Sequence, residues 1–154
     1  MAFHIVLVEP EIPGNTGNIS RTCAATGTWL HLVRPLGFTI NDKYLKRAGL
    51  DYWPHVKVEY HDSFREVEER YANHRFFFAT TKATKTYSDY RFQDGDFFVF
   101  GKETAGLPEE ILQAHPDALM RIPMTGAVRS LNLSNSAAIV LYEALRQTHF
   151  QGLV

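Results

Sequence analysis

Three polar segments of the chain combine residue types that could bind an anion or a cofactor. The first spans residues 9–22 and contains Asn15, Gly17, Asn18 and Arg21. If it begins a helix, its free backbone N–H groups favour an anion, and the forked guanidinium of Arg21 could bind two phosphate oxygens. An ordinary capped helix, with Asn15 as the cap and Arg21 on the surface, explains the same residues. The segment alone leaves both interpretations open.

The second segment follows an apolar run that ends at Phe100. Gly101 and Gly106 lie five residues apart, with Glu103 between them. Glycine at such a position could let the backbone approach a ligand closely, and a tight strand-to-helix turn is the alternative. The spacing resembles a Walker loop, but Leu107 and the proline after it replace the required Lys-Ser/Thr pair.

The third segment runs from Arg121 to Ser136 and is rich in small polar residues. Ser130, Asn132 and Ser134 crowd the beginning of the last predicted helix. A helix needs one capping side chain, and this segment offers several. The surplus indicates that some of these groups serve a ligand.

Several common chemistries are not supported. Gly-x-Gly occurs nowhere, so the dinucleotide fingerprint is absent, and Ser130 lies outside any Gly-x-Ser-x-Gly elbow. Among the seven histidines only His55 and His61 are close in sequence, without metal-ligand spacing. We therefore predict no metal site and a lone surface position for each histidine. The single cysteine, Cys23, allows neither an internal disulfide nor a cysteine zinc cluster.

Length and composition fit one globular domain over residues 1–154. Hydrophobic residues make up 45% and charged residues 21%, which excludes a disordered or fibrous chain. No apolar run approaches the ~18 residues of a membrane span, and no signal peptide is visible, so we expect a cytoplasmic protein. The formal net charge of -1 gives no global basic footprint. Nucleic-acid binding would need a local basic patch.

Short apolar runs alternate with helical patterns along the chain. This alternation predicts an α/β fold with a mostly parallel sheet flanked by helices, and ligands bind such sheets at the carboxyl ends of the strands. The predicted strands are 3–8, 29–33, 56–60, 75–80, 97–100 and 119–122. The predicted helices are 14–27, a short one between Asn41 and Gly49, one that is capped by Asp62 or Ser63 and ends at about Ala72, one that starts at Pro108, and 136–150.

The last predicted helix has a wide apolar face. Ala137, Val140, Leu141, Ala144 and Leu145 follow helical spacing and form one stripe, with further apolar residues beside it. A deep core helix and a subunit interface explain this width equally well.

Five motifs in this order resemble the SPOUT family of RNA methyltransferases. Within that family they are similar to the tRNA wobble-nucleotide 2′-O-methyltransferases of the TrmL (YibK-like) type. The resemblance covers essentially the whole chain. Its motifs are Glu9-Pro-Glu-Ile-Pro-x-Asn-Thr-Gly-Asn-Ile-x-Arg21, Arg47-Ala-Gly-Leu-Asp-Tyr52, Phe100-Gly-x-Glu-Thr-x-Gly-Leu-Pro108, Arg121-Ile-Pro-Met124 and Ser130-x-Asn-Leu-Ser-Asn-Ser136.

The resemblance implies a C-terminal deep trefoil knot and S-adenosylmethionine as the cofactor. It also implies an obligate homodimer whose interface includes Tyr142. No metal is needed, because the sulfonium is already a strong electrophile. Carried over by position, the cofactor would contact Ala79, Thr80, Gly101, Glu103, Ile122, Ser130 and Leu131.

The resemblance further implies methyl transfer to a ribose 2′-hydroxyl of a tRNA anticodon stem-loop. Arg21 matches the arginine of the reaction step, with Asn18 and Ser130 as further participants. Arginine stays protonated in proteins, so we interpret Arg21 as an electrostatic clamp on phosphate and developing alkoxide. The proton could leave to that phosphate, to Glu103 or to water. The expected RNA-binding residues are Arg21, Lys46, Arg47 and Arg129.

Four functions remain open at this point. The leading one is methylation of the wobble cytidine or uridine. The second is the same chemistry at another tRNA position or on ribosomal RNA. The third, a dimer that binds RNA or cofactor without catalysis, is disfavoured by the presence of Arg21, Asn18 and Ser130. The fourth, a small-molecule α/β enzyme, is disfavoured by the missing glycine fingerprint.

Overall fold

A computed structural model of the protein describes residues 2–39, 43, 47 and 50–154. The strands are β1 (His4–Val8), β2 (Trp29–Val33), β3 (Val58–His61), β4 (Phe76–Ala79), β5 (Phe97–Phe100) and β6 (Leu119–Met120). The α-helices are α1 (Pro13–Thr26), α2 (Phe64–Arg70), α3 (Glu109–Ala114) and α4 (Leu133–Gln147). Three 3₁₀ helices span Leu50–His55, Tyr87–Asp89 and Pro116–Ala118. The predicted helix between Asn41 and Gly49 lies outside the described residues, apart from Lys43 and Arg47.

Across the described residues the strands form one six-stranded sheet in the order β3-β2-β1-β5-β4-β6. Every strand pair in it is parallel. The predicted α/β class with a mostly parallel sheet is confirmed. In the described part of the chain, no helix is long and apolar enough to cross a membrane.

The two central strands are buried on both faces, as parallel strands covered by helices should be. All residues of β1 and β5 are buried. Their side chains alternate between two apolar clusters, one on each face of the sheet. The predicted stripe of the C-terminal helix lies entirely in one of these clusters, which confirms its core role. Its members are Ala137, Val140, Leu141, Ala144 and Leu145.

Local sequence signals explain the helix boundaries. Helix α1 has Pro13 in its first turn, where a missing N–H is tolerated, and ends at Gly27 in a left-handed conformation (φ 68°). The prediction of Asn15 as its cap is wrong, because the N-cap position is Ile12. Of the two candidate caps of α2, Asp62 and Ser63, the structure uses Ser63, whose side chain accepts a hydrogen bond from the N–H of Glu66. Helix α4 begins three residues earlier than predicted, because Asn132 is its cap.

The short strand β6 is held on both sides. On one side it pairs with β4, and the N–H of Thr80 donates to the carbonyl of Met120 (2.9 Å). On the other side Arg121 donates to the carbonyl of Lys85 and accepts from the N–H of Tyr87, both at 2.9 Å. The chain at residues 120–121 therefore passes between two arms of the segment that links β4 to β5.

The prediction that each histidine is a lone surface residue is wrong for three of them. His4, His31 and His61 are buried, with relative exposures of 7%, 0% and 3%. Alternation along β1, β2 and β3 puts them on one face of the sheet, where their rings form a hydrogen-bonded row. Burial lowers the pKa of His31 to about 2 and that of His4 to about 4. Because desolvation disfavours the charged form, these imidazoles are neutral at physiological pH.

Candidate active site

A cavity of about 530 Å³ lies where strands β4, β5 and β6 end. Its volume falls in the ~300–1,000 Å³ range of small-molecule sites, and its position is the usual one for parallel sheets. The walls come from the segments after those three strands, from the start of α1 and from the loop before α4. Apolar lining residues include Leu107, Met120, Ile122, Met124 and Leu131.

The structure brings all the predicted cofactor residues to this cavity. Each lines its wall: Ala79, Thr80, Gly101, Glu103, Ile122, Ser130 and Leu131. Arg129, expected to bind RNA, also lines the wall. Asn18 and Arg21 lie on the exposed side of α1 and are not among the lining residues. Arg47 is exposed, and Lys46 lies outside the described residues.

Glu103 is held at the N-terminus of α1 by three hydrogen bonds. Its Oε1 accepts from the N–H of Glu11 (2.9 Å), and its Oε2 accepts from the N–H of Ile12 (3.0 Å) and from Nδ2 of Asn15 (3.1 Å). An external anion at this helix N-terminus was one of the two interpretations left open by the sequence, and the structure has a carboxylate of the chain itself there. Both Glu103 oxygens are engaged in positioning the loop.

Glu11 in turn accepts hydrogen bonds from the loop that contains Glu103. Its Oε1 accepts from the backbone N–H (3.0 Å) and the hydroxyl (2.7 Å) of Thr104. These two hydrogen bonds hold the pKa of Glu11 below its usual value. The loops after β1 and β5 are therefore joined by two carboxylates in opposite directions.

Gly101 is required by packing within its own loop. A Cβ atom there would lie 2.0 Å from the carbonyl carbon of Gly106 and 2.2 Å from the nitrogen of Leu107. The loop closes through the Gly106 N–H, which donates to the carbonyl of Lys102 (2.8 Å), and Gly106 itself has φ +70°. The alternative interpretation, a tight strand-to-helix turn, describes this segment. The turn brings the backbone into the cavity wall.

Asn132 connects the third polar segment to the first. Its Oδ1 caps α4 by accepting from the N–H groups of Ser134 and Asn135, while its Nδ2 donates to Oδ1 of Asn15 (3.0 Å). Asn15 thus contacts both Glu103 and Asn132. Its amide fixes the relative positions of all three predicted loops.

Two lysines at the cavity are engaged with acidic residues. Lys82 Nζ pairs with Glu109 Oε2 (2.5 Å), and this contact lowers the pKa of Glu109. Lys102 Nζ lies 3.4 Å from Glu9 Oε1. The positive charge at the cavity that is available to a ligand therefore depends mainly on Arg129.

Sequence reasoning missed the roles of Asn15 and Asn132. Both are polar residues beside a helix start: Asn15 was interpreted as a possible cap, and Asn132 as one of several groups that cap the helix or serve a ligand. A signal for Asn15 was present, since Pro13 already fits the first turn and Asn15 was not needed there. The contact of Asn15 with Asn132 joins residues 117 positions apart and had no local signal.

Comparison with known proteins identifies the family of this site. The sequence model of the SpoU rRNA Methylase family matches residues 2–142. The chain belongs to the SpoU rRNA methylase family. The predicted SPOUT resemblance is confirmed.

Two relatives match this chain over nearly their whole length. A tRNA (cytidine(34)-2'-O)-methyltransferase from Methylovorus glucosotrophus (strain SIP3-4) is 56% identical over 153 residues, which cover 99% of each chain. A protein of the same name from Escherichia coli (strain K12) is 50% identical over 153 residues, 99% of this chain and 98% of that protein.

Two solved structures have a similar fold. A structure described as concerning the 2-OH methylation of C/U34 on tRNA has a TM-score of 0.91 and 46% identity, and covers 97% of this chain and 98% of that one. The SpoU methyltransferase AviRb from Streptomyces viridochromogenes, in complex with AdoMet, has a TM-score of 0.84 and 27% identity. That match covers 96% of this chain and 58% of the other. The cavity described above suits such a ligand, since it combines apolar walls with backbone groups from three loops.

Proposed function

We propose that the chain transfers a methyl group from S-adenosylmethionine to the ribose 2′-hydroxyl of nucleotide 34, a cytidine or modified uridine, of tRNA. One observation carries the proposal: a single cavity gathers every residue that the resemblance assigns to the cofactor. The two named relatives, at 50% identity or more over 99% of this chain, support the choice of substrate. We assign residues 1–154 to one methyltransferase domain that works in the cytoplasm with tRNA.

The chain's residues divide into those that hold the cofactor and those that act on the ribose. When bound, S-adenosylmethionine supplies an electrophilic methyl group on a positively charged sulfur. Ala79, Thr80, Ile122 and Leu131 would hold it through backbone groups and apolar contact. Ser130 lies at the same wall, where its hydroxyl can orient the ribose. Holding the reacting groups in line supplies most of what such a transfer needs.

Arg21 acts as an electrostatic clamp in this proposal. A guanidinium remains charged and can bind a phosphate and a developing alkoxide together. Asn18 lies one turn earlier on the same exposed side of α1. Both oxygens of Glu103 accept hydrogen bonds that position the loop, so we assign Glu103 a positioning role. We therefore assign the proton to the adjacent RNA phosphate or to water.

A homodimer would complete the site, because Asn18 and Arg21 lie outside the lining of their own chain's cavity. Helix α4 leaves Ile139 and Tyr142 exposed at 36% and 45%. Those apolar side chains, beside the buried stripe of α4, are the interface that we propose. Tyr142→Lys should produce a monomer in light scattering, whereas Tyr60→Lys, on the far edge of the sheet, should leave the dimer intact. If the Tyr142→Lys variant remained a dimer, Tyr142 would not belong to the interface.

A C-terminal trefoil knot fits the path of the chain. Residues 120–121 pass between Ala79–Thr80, at the end of β4, and Lys85–Tyr87 in the segment that follows β4. Helix α4 then packs against β5, and Gln147 Oε1 accepts from the N–H of Phe92 in the segment before β5 (2.7 Å). A threaded C-terminal segment accounts for hydrogen bonds on both sides of one short strand.

The RNA surface would combine Arg129 at the cavity with Arg21, Lys46 and Arg47. An anticodon loop suits a single domain, because its bases and 2′-hydroxyl groups are exposed. Two copies of these residues would give a nearly neutral chain one basic surface.

The test uses methyl-labelled S-adenosylmethionine, tRNA that lacks 2′-O-methylation, and digestion to nucleosides with mapping of position 34. Label in 2′-O-methylcytidine or a 2′-O-methyluridine derivative at that position is expected. Arg21→Ala should abolish it, while Arg65→Ala, an exposed arginine on α2, should retain it. Label at another position of tRNA or in ribosomal RNA would show that nucleotide 34 is not the substrate. Absence of label despite cofactor binding would contradict catalysis.

A further inference from the structure

Two neighbouring strands away from the cavity bring together three side chains that can bind a metal ion. His31 on β2 pairs in register with Glu59 on β3. His61 follows Glu59 by two residues, so alternation along β3 puts it on the same face. Neither strand contributes a residue to the cavity lining described above.

The three potential ligand atoms form a compact triangle. His31 Nδ1 lies 3.0 Å from His61 Nε2 and 3.3 Å from Glu59 Oε1, and His61 Nε2 lies 3.6 Å from Glu59 Oε1. In the part of the chain that the structure describes, this is the one group of three or more such residues with converging ligand atoms. The His31 and His61 side chains are 0% and 4% exposed, and that of Glu59 is 17% exposed.

We propose that His31 Nδ1, His61 Nε2 and Glu59 Oε1 bind one divalent metal ion of the zinc class, with water as the fourth ligand. A tetrahedron with metal–ligand bonds of ~2.0–2.1 Å has edges of ~3.3–3.4 Å, and the three distances between the ligand atoms, 3.0, 3.3 and 3.6 Å, scatter around that length. Two imidazoles and a carboxylate are a ligand set that zinc accepts. The partial exposure of Glu59 gives water and the ion a route to the site.

The surrounding residues would orient these ligands. His4 Nδ1 lies 2.9 Å from His31 Nε2. When His31 Nε2–H donates to it, His31 Nδ1 is left with a free lone pair. Tyr71 donates to Glu59 Oε1 (2.6 Å), and Arg70 pairs with Glu59 Oε2 (3.2 Å). Hydrogen-bond partners of this kind commonly fix metal ligands in place.

Binding exchanges one hydrogen bond for three metal–ligand bonds. In the metal-free protein one proton lies between His31 Nδ1 and His61 Nε2. With His31 Nε2–H donating to His4, that proton is on His61 Nε2. On metal binding it moves to His61 Nδ1, so both facing nitrogens become ligands and no net proton is released. The ion would join the edge strand β3 to β2, which makes its role structural and independent of methyl transfer.

The experiment is a Co²⁺ titration of the untagged full-length chain after chelator treatment. We expect one equivalent to bind with the intense visible bands of four-coordinate Co²⁺, and Zn²⁺ to displace it. Glu59→Gln and His61→Gln should each weaken binding by at least ~10-fold. His55→Gln removes an exposed histidine outside the triangle and serves as the matched control, with wild-type binding expected.

Two results would overturn the proposal: no one-to-one binding by the wild type, or wild-type binding by both ligand variants. If those variants fail to fold, ¹⁵N-imidazole NMR of the wild type decides instead. Zn²⁺ should then shift the nitrogen signals of two imidazoles, and unshifted imidazoles would contradict the site. Methylation by the wild type is a separate readout, so the metal site and the proposed function can fail independently.

Discussion

The carboxylates of Glu11 and Glu103 bind each other's loops. Glu103 accepts from the backbone N–H of Glu11, and Glu11 accepts from the backbone N–H of Thr104, the residue after Glu103. Each loop is thus fixed by an acidic side chain from the other, across 92 positions of sequence. Because both loops line the cavity, this reciprocal contact sets its shape.

Glu103→Gln should destabilise the protein and weaken cofactor binding. Glutamine keeps the size but replaces one accepting oxygen with an NH₂ group, which faces a donor. Losing hydrogen bonds to a charged group costs roughly 1.5–3 kcal/mol. We expect a lower Tm in calorimetry and a raised KM for S-adenosylmethionine, with kcat changed less.

Glu110→Gln, an exposed change on the neighbouring helix α3, is the matched control and should leave both quantities unchanged. A general base at Glu103 would give the opposite pattern, with unchanged Tm and KM and a large fall in kcat. That outcome would restore Glu103 as the proton acceptor.

Gly101→Ala should be among the more damaging single-methyl changes in the chain. The new Cβ would meet the Gly106–Leu107 peptide at 2.0–2.4 Å, and backbone cannot move aside as a flexible side chain can. We expect a loss of about 3 kcal/mol in the free energy of unfolding, the upper end for overpacking. Chemical denaturation measures it.

The matched control is Gly14→Ala in helix α1, where an added Cβ meets nothing within 4 Å. Alanine is the better helix former, so stability should stay constant or rise by up to ~1 kcal/mol. Equal effects of the two alanines would show that the 101–107 turn can open without loss.

Asn132 should show a graded response, because its amide has two separable contacts. Asn132→Ser keeps an N-cap hydroxyl for α4 but loses the Nδ2 bond to Asn15. Asn132→Ala loses both, at an additional ~0.5–2 kcal/mol for the cap. We expect Tm to fall in the order wild type, Ser, Ala, with cofactor affinity reduced in both variants. Equal Tm values for Ser and Ala would mean that the cap contributes nothing.

The sequence made the residues of the cavity predictable because they follow apolar runs. Carboxyl ends of parallel strands meet at one edge of a sheet, so segments after Ala79, Phe100 and Met120 had to converge. The resemblance then selected positions within those segments. Two helix boundaries also followed from local signals, the end of α1 at Gly27 and the start of α2 after Ser63.

Contacts that depend on the order of the strands in the sheet could not be predicted from the sequence. The β3-β2-β1 register brings His4, His31 and His61 into one row, although 27 and 30 positions separate successive members. Nothing near any one of them signals a partner, so each was interpreted as exposed. The contact of Asn15 with Asn132 also joins residues that are far apart in sequence, so no local pattern predicts it.

The buried histidines should make the protein sensitive to mild acid. Their pKa values are lowered by burial, His4 to about 4 and His31 to about 2, against ~6.5 in the unfolded chain. Below pH ~6.5 the unfolded state therefore binds more protons, and the free energy of unfolding falls as pH falls. His4 alone should remove on the order of 3 kcal/mol by pH 4, at ~1.4 kcal/mol per pKa unit. Denaturation between pH 7.5 and 4 in chelator, which keeps metal away from the row, measures the slope.

His4→Gln isolates this effect, because glutamine cannot take up the proton and the carboxylates that titrate below pH 5 stay the same in both proteins. The variant will be less stable at pH 7.5, since a packed ring is lost, but its stability should fall less steeply between pH 6.5 and 4. The exposed control His55→Gln should follow the wild-type curve. If the free energy of unfolding fell equally steeply with pH in His4→Gln and in wild type, His4 would have the same pKa in the folded and the unfolded protein.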